Sequence, residues 1–178
     1  MKRVISPLEQ KWSADGAAAS AVSRWEEESG LRLPGDYRRF VIRYDGGRPY
    51  PNMFRHTALD DQGAANPSDH LVDPLYSWEH VVTWSGQLGN RLPSRCLAIG
   101  ADPGLVEIVL SLRVEDYGAV HSWVRNLGVW GSPENGYLCP QTPSFSAFVA
   151  SLFDDAEQNG RAGWRTPQAE RLQRDLDV

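Results

Sequence analysis

Three histidines lie near several carboxylates, and this is the region where the residue types come closest to a metal site. His56, His70 and His80 are separated by 14 and 10 residues. Zinc motifs place ligands at short fixed spacings, such as two histidines at i and i+4 on a helix, and no pair here has such a spacing. We therefore expect no metal site and no cofactor, and we interpret the three histidines as exposed loop residues.

A nucleophile of the serine or cysteine type has no supporting motif. The chain lacks a Gly-x-Ser-x-Gly elbow. Cys96 and His121 could pair, but two cysteines and four histidines give such pairs by chance. His121 is more simply a surface or half-buried strand residue. The stretch from Gly100 to Gly104 has two glycines but no lysine of a phosphate-binding loop, which predicts a turn. A hydrolase or metal enzyme is therefore the least favoured hypothesis.

The formal charge of −5 is concentrated in one segment. Residues 56–90 contain no Lys or Arg, while the acidic residues there are Asp60, Asp61, Asp69, Asp73 and Glu79. Elsewhere the 18 basic residues are matched by an equal number of acidic ones. An acidic chain is a poor direct ligand for nucleic acid, whereas an acidic surface speeds encounter with a basic protein.

The seven tryptophans are many for 178 residues. Trp25 and Trp123 fit the core. Trp78, Trp84 and Trp130 allow two interpretations: interface anchors, since tryptophan is enriched at binding hot spots, or a satellite hydrophobic cluster under a long loop. For each one taken singly, the cluster is favoured.

Length and composition indicate one soluble domain. The chain is 41% hydrophobic and 23% charged. It has no apolar run of membrane-span length, and its basic start is not followed by the apolar core of a secretory signal. Cys96 and Cys139 lack metal or redox spacing and are expected to be buried free thiols. These features predict a cytoplasmic protein that does not bind a membrane.

Hydrophobic periodicity and turn residues predict the elements that position these side chains. We expect a loose lead-in over 1–13 with Trp12 as an anchor, then a helix capped by Ser13 or Asp15 that ends near residue 29. A second helix covers 34–44. The next predictions are an edge strand at best over 48–54, a long polar loop over 60–75, and a helix or strand over 76–84.

The second half predicts strands and then a helix. Strands are expected over 95–100, 105–112 and 119–124, with 127–130 as a candidate extension of the sheet, and a last clear helix from Thr142-Pro143 to Asn159-Gly160. The tail 161–178 is either a terminal helix or frayed. This order predicts an α+β fold: a single domain with a central antiparallel sheet flanked by helices.

The most informative block is residues 24–47, a helix–stop–helix unit. Gly30 suits a left-handed helix end, and Pro34 suits the first turn of the next helix. Tyr37 and Phe40 follow at helical spacing, and Asp45-Gly46-Gly47 closes the unit. None of these residues is chemically reactive in this context, so the block favours a binding module over an enzyme.

This block resembles the SUKH superfamily, known for immunity proteins of bacterial toxin systems and for fungal cell-wall regulators. The matching residues are Gly30-Leu31, Leu33-Pro34-Gly35-Asp36-Tyr37, Phe40 and Asp45-Gly46-Gly47, followed by Leu97–Asp102, the strand pair around Ile108–Trp123, and Phe145–Leu152. Asp45 departs from the asparagine usual in the family. The resemblance covers about 12–155 and leaves 159–178 as a C-terminal extension of one SUKH-like domain spanning 1–178.

The resemblance implies a non-catalytic protein that binds and neutralises a toxin domain, itself basic because many such toxins act on nucleic acids. Partner-binding residues vary among members, so none is carried over. Our hypothesis for the binding residues rests on charge and on tryptophan enrichment, and names Asp60, Asp61, Asp69, Asp73, Trp78 and Glu79. The alternative function is an intracellular regulatory scaffold or protein-binding module. A gene for a large secreted toxin directly upstream would favour immunity.

Overall fold

The computed structural model describes residues 2–9, 16–59, 62–154 and 173–178. The helices are α1 (Ala17–Ser29), α2 (Gly35–Tyr44), α3 (Trp78–Leu88) and α4 (Phe145–Ser151). The strands are β1 (Val4–Ser6), β2 (Arg48–Tyr50), β3 (Met53–Leu59), β4 (Ala65–Leu71), β5 (Cys96–Ala101), β6 (Val106–Ser111), β7 (Val120–Val124), β8 (Cys139–Thr142) and β9 (Arg174–Asp175). The predicted roles of Trp12, Ser13, Asp15 and Asn159-Gly160 lie outside the described residues.

All strand pairs of the described residues are antiparallel. The strands form a four-stranded sheet in the order β5-β6-β7-β8, a hairpin of β3 and β4, and a small sheet in the order β2-β1-β9. Isolated bridges from Leu75 to Gly47 and to Gly100 connect the segment before α3 to neighbouring elements. The predicted α+β class, with an antiparallel sheet flanked by helices, is confirmed.

Both faces of the four-stranded sheet are covered, which explains why every residue of β6 is buried. Val106, Ile108 and Leu110 belong to the main core with α1, α2 and α4, whereas Val109 belongs to a second cluster with Trp123. The main core holds Tyr37, Phe40 and Phe145 as a group of aromatic rings, with the Phe40 and Phe145 centroids 4.9 Å apart.

The tryptophans divide between these two clusters. Trp78 is 3% exposed in the main core, and Trp25 packs against it while remaining partly exposed. Trp123 is buried in the second cluster, and Trp84 and Trp130 pack on it. The expected second cluster therefore holds Trp84 and Trp130, whereas Trp78, for which it was also expected, belongs to the main core.

Two aspartates near the ends of α2 join this helix to two others. Asp36 accepts from Ser146 N in the first turn of α4 (2.8 Å), and Asp45 accepts from Trp78 N in the first turn of α3 (2.7 Å). Each carboxylate satisfies an N–H that has no partner within its own helix, at the positive end of that helix's dipole. The block 24–47 is thus the junction of three helices.

Gly46 follows this junction at a place where a side chain cannot fit. A Cβ on Gly46 would lie 2.6 Å from Ser77 N and 2.7 Å from the Tyr76 carbonyl carbon, and its φ is +85°. These two facts explain the glycine in the motif, since only glycine combines a positive φ with such a close backbone approach.

Five predictions about the elements were wrong. The last helix ends at Ser151 and not at Asn159-Gly160, because Leu152 is extended and Phe153 forms a β-bridge with Met53. Residues 65–71 are strand β4, not part of a loop, and pair with β3 from Met53↔Leu71 to Leu59↔Ala65. The strand was missed because it lacks branched aliphatic residues until its end and contains Pro67, which is tolerated in an edge strand. The fourth strand of the sheet is β8, not 127–130. Val4–Ser6 is a strand rather than a loose lead-in, and Arg174–Asp175 pairs with it.

Buried polar residues account for the other corrections. His56 is 3% exposed on β3 and His121 is 7% exposed on β7, whereas both were expected nearer the surface. Glu26 on α1 is also buried, and its carboxylate accepts a hydrogen bond from Leu33 N at 2.9 Å. Cys96 and Cys139 are buried free thiols, as predicted.

Candidate functional site

A cleft of about 430 Å³ lies between α1 and α3, and we call it the α1–α3 cleft. Its lining residues are Ala17, Ala18, Ala21, Arg24, Trp25, Glu28, Asp45, Trp78, Glu79, Val82 and Thr83. Small residues on one side of α1 leave the space, because alanine at positions 17, 18 and 21 gives the facing helix no large side chain to pack against.

Two tryptophans form one wall of this cleft. The Trp25 and Trp78 ring centroids are 5.3 Å apart and the planes meet at 87°, an edge-to-face pair of the kind aromatic rings prefer. Trp78 packs in the main core, and its backbone N–H donates a hydrogen bond to Asp45 Oδ1. The wall is therefore rigid, and part of Trp25 stays open to the cleft.

The cleft carries negative charge at its rim. The charged lining residues are Glu28, Asp45, Glu79 and Arg24, so the lining has a formal charge of −2. A smaller polar hollow of about 220 Å³ adjoins it, shares Asp45 and Glu79, and adds Glu9. Acidic side chains from α1, α3 and the exit of α2 thus converge on one place.

The hypothesised binding residues fall into three groups: residues that line the cleft, residues in ion pairs, and residues outside the described ranges. Trp78 and Glu79 line the α1–α3 cleft, where Trp78 forms the wall and Glu79 is exposed. Asp69 lies on exposed β4 and accepts two bonds from Arg55, at 2.7 and 3.1 Å, which lower its pKa below the usual range. Asp73 accepts from Arg48 Nε at 2.7 Å. Asp60 and Asp61 lie outside the described residues.

These ion pairs lower the uncompensated negative charge of the acidic segment, residues 56–90. Arg48 and Arg55 precede residue 56 in the sequence, yet strand pairing brings them to Asp73 and Asp69. Part of the charge that is uncompensated along the chain is therefore compensated in space. None of the ion pairs among the described residues includes Glu79.

Two of the histidines that suggested a metal site lie together on the β3–β4 hairpin. His56 and His70 have ring centroids 5.7 Å apart. Burial lowers the pKa of His56, and the neighbouring His70 adds to this effect while Asp102 opposes it. His80 lies on α3, against Tyr76 and Trp84. Among the described residues, no group of three or more His, Cys, Asp or Glu side chains could hold a metal ion.

His70 takes part in a hydrogen-bonded chain with Ser68 and Asp102. His70 Nδ1 lies 2.9 Å from Asp102 Oδ2, and Nε2 lies 2.8 Å from Ser68 Oγ. Asp102 is itself oriented by the Gly104 and Val106 amides, which donate to its Oδ1 at 2.5 and 3.2 Å. The order of groups is that of a catalytic triad.

Residues 125–138 form a loop between β7 and β8 that sequence reasoning did not single out beyond Trp130. Asn135 is 2% exposed and donates to the carbonyls of Gly128 (2.7 Å) and Arg91 (2.8 Å). Its Oδ1 accepts from Trp123 Nε1 at 2.9 Å. This buried amide fixes a loop that exposes 88% of Leu127 and 51% of Val129. The sequence signal for this loop was the turn-forming pair Asn135-Gly136.

A second buried polar side chain, the carboxylate of Glu107, was also not predicted from the sequence. Glu107 on β6 is fully buried and accepts from Tyr76 OH (3.0 Å), Trp84 Nε1 (3.2 Å) and Arg125 Nη1 (3.3 Å). Burial raises its pKa, and these three partners oppose the effect. With its donors in place, Glu107 connects α3 to the β7–β8 loop. Its apolar neighbours Val106 and Ile108 gave no sign of such a role.

No helix of the described residues is long and apolar enough to cross a membrane. Neither curated proteins nor solved structures gave a match. A model of the SMI1/KNR4 family (SUKH-1) matches residues 16–151, a range that contains α1 through α4 and the whole four-stranded sheet. The resemblance is thereby confirmed, and the protein belongs to the SMI1/KNR4 family (SUKH-1), whose members are in general non-catalytic immunity or regulatory proteins.

Proposed function

We propose that this protein is an immunity protein that binds and neutralises a cognate bacterial toxin domain in the cytoplasm, without catalysing a reaction. Family membership is the observation that carries this proposal. The protein would cover the active site of the toxin or block substrate access. It needs no cofactor for this role.

The surface of the described residues supports binding rather than chemistry. The α1–α3 cleft combines apolar walls with an acidic rim, and the β7–β8 loop presents apolar side chains on a fixed backbone. A fixed loop lowers the entropy lost on association, because the binding conformation already exists. The acidic rim suits a basic partner, and rim charges act mainly on the rate of encounter.

The proposed contact residues remain Asp60, Asp61, Asp69, Asp73, Trp78 and Glu79. Within this set, the ion pairs predict unequal effects. Glu79 should matter most among the three described carboxylates, since Asp69 and Asp73 are already neutralised by Arg55 and Arg48.

The test is growth rescue. The toxin domain encoded directly upstream of this gene is expressed in a bacterial host with and without this protein, and the two purified chains are then mixed in a calorimeter. We expect restored growth and one-to-one binding. A toxin domain that kills equally in both hosts and shows no heat of binding would contradict the proposal.

A charge series tests how the partner is reached. Glu79→Lys should slow association about ten-fold at low salt, and the loss should shrink as salt screens charges over about 10 Å. Glu27→Lys is the matched control, since Glu27 is exposed on α1 but does not line the cleft. Equal slowing by both variants would indicate only a long-range effect of net charge.

A regulatory protein-binding role is the alternative, because the matched family includes regulators as well as immunity proteins. The gene neighbourhood separates the two. A chain with no toxin gene nearby that instead binds a signalling protein of its own cell would favour regulation.

A further inference from the structure

We propose that the α1–α3 cleft binds one cationic side chain, an arginine or lysine, from an exposed segment of the partner protein. This inference rests on the proposed function, because it names the chemistry by which the toxin domain would be recognised. The side chain would lie along the cleft, with its methylenes against the apolar lining residues and its charged head beside Glu28 and Glu79.

Size and lining fit a long side chain with an apolar stem. A volume of about 430 Å³ lies in the range of small-ligand sites, about 300–1,000 Å³. Ala18, Ala21 and Val82 offer apolar contacts for the methylenes. Arginine and lysine bury such stems while keeping their charged heads near water.

The negative charge of the lining residues favours a cationic side chain over a neutral or anionic one. A neutral side chain would reduce the hydration of Glu28 and Glu79 without replacing it by an ion pair, and an anion would be repelled by a rim of charge −2. Neither glutamate forms an ion pair with another of the described residues. A guanidinium can bridge two carboxylates because its donors form a planar fork.

The tryptophan wall adds a preference for a cation. The negative face of an indole attracts an ammonium or guanidinium within about 6 Å, and tryptophan is the strongest such ring. Trp25 is partly exposed at the cleft, and its edge-to-face contact with Trp78 fixes its position. One site therefore offers two carboxylates and an indole together.

The experiment uses the full chain and two short peptides. The first is Ac-Ala-Leu-Arg-Ala-NH₂, and the second carries citrulline, a neutral isostere, in place of arginine. Binding is followed by NMR of the tryptophan indole N–H signals. We expect the arginine peptide to shift the signals of Trp25 and Trp78 with a Kd of about 1 mM, and the citrulline peptide to bind at least about ten-fold more weakly.

Variants locate the site. Glu28→Gln combined with Glu79→Gln should weaken arginine-peptide binding at least about ten-fold. Glu27→Gln combined with Glu115→Gln removes the same charge from exposed positions outside the cleft and should leave binding unchanged. Far-ultraviolet circular dichroism of each variant checks that the fold is retained.

Other results would overturn the inference. Equal binding of both peptides, or equal weakening by both double variants, would show that the cleft does not recognise a cation. Binding only in a Trp12→Ala variant would assign the cleft to this chain's own residues 10–15, and a dimer dissolved by Glu79→Gln would assign it to a second copy. If the arginine peptide does not bind but the protein still rescues growth, only the proposed cation site in the cleft is refuted. If the peptide binds but growth is not rescued, the proposed immunity function is refuted.

Discussion

Asp45 offers a quantitative test of how the family motif holds the helices together. Its carboxylate accepts from Trp78 N at 2.7 Å, and its backbone is left-handed, with φ +47°. The residue therefore has two separable roles: it caps α3, and it tolerates the turn that ends α2. Asp45→Asn removes only the negative charge, Asp45→Gly removes the cap, and Asp45→Ala removes both the cap and the tolerance of the left-handed turn.

The magnitudes follow from each role. A side-chain cap at a helix N-terminus contributes about 0.5–2 kcal/mol, and its negative charge adds about 0.3–1 kcal/mol. A left-handed backbone costs about 1–2 kcal/mol for an ordinary residue, whereas glycine and asparagine adopt it readily. Asp45→Asn should thus lose less than about 1 kcal/mol of unfolding free energy, Asp45→Gly about 1–2 kcal/mol, and Asp45→Ala about 2–4 kcal/mol.

Urea unfolding followed by tryptophan fluorescence measures these differences, with the slope of the transition compared among variants. Ser144→Ala, which removes a side-chain cap of α4 without touching a left-handed residue, is the control for a simple cap and should resemble Asp45→Gly. The reasoning is refuted if Asp45→Gly is as stable as the native chain, because the cap would then contribute nothing. It is also refuted if Asn and Ala cost the same.

Three further outcomes are expected. Phe40→Ala should lose about 3–5 kcal/mol in the same assay, because the ring is 1% exposed and packs against Phe145; a loss below about 1 kcal/mol would contradict the described core. Burial lowers the pKa of His56, so below its usual value near 6.5 the unfolded chain binds a proton more readily than the folded chain, and the free energy of unfolding should fall with falling pH. His56→Gln should reduce this slope, and an unchanged slope in that variant would contradict the assignment to His56. Purified protein should hydrolyse p-nitrophenyl acetate no faster than its Ser68→Ala variant, and a rate lost on that substitution would show that the Ser68–His70–Asp102 chain is catalytic.

The helices and the central strands were predictable because their signals are local. Tyr37, Phe40 and Val41 repeat at helical spacing, and alternate residues of β6 from Val106 to Leu110 face one side of the sheet. The strand β4 was not predictable, since its residues are polar and only pairing with β3 keeps them extended. The pairing of β4 with β3 depends on the hairpin as a whole and not on the intrinsic strand propensity of the β4 residues.

The candidate site was predictable only in part. Trp78 and Glu79 were proposed from composition, and they do line the cleft. The alanines of α1 that leave the space of the cleft could not be recognised in the sequence, because alanine has no charged or reactive group. The arginines that neutralise Asp69 and Asp73 lie outside the acidic segment in sequence, and only strand pairing brings them near. Charge patterning along a chain therefore overstates the charge a folded surface presents.

The pairing of β1 with β9 has a consequence for how the chain can be rearranged. Val4 lies opposite Asp175, and Leu176 N donates to Arg3 O at 3.1 Å, so the first and last described strands are neighbours. A circular permutant that joins these strands by a short linker would keep every strand pair of the small sheet. New ends could then be opened at Gly63, an exposed hairpin position where a side chain would meet nothing within 4 Å. Such a permutant would place a fused reporter at the tip of the β3–β4 hairpin, away from the junction of the three helices.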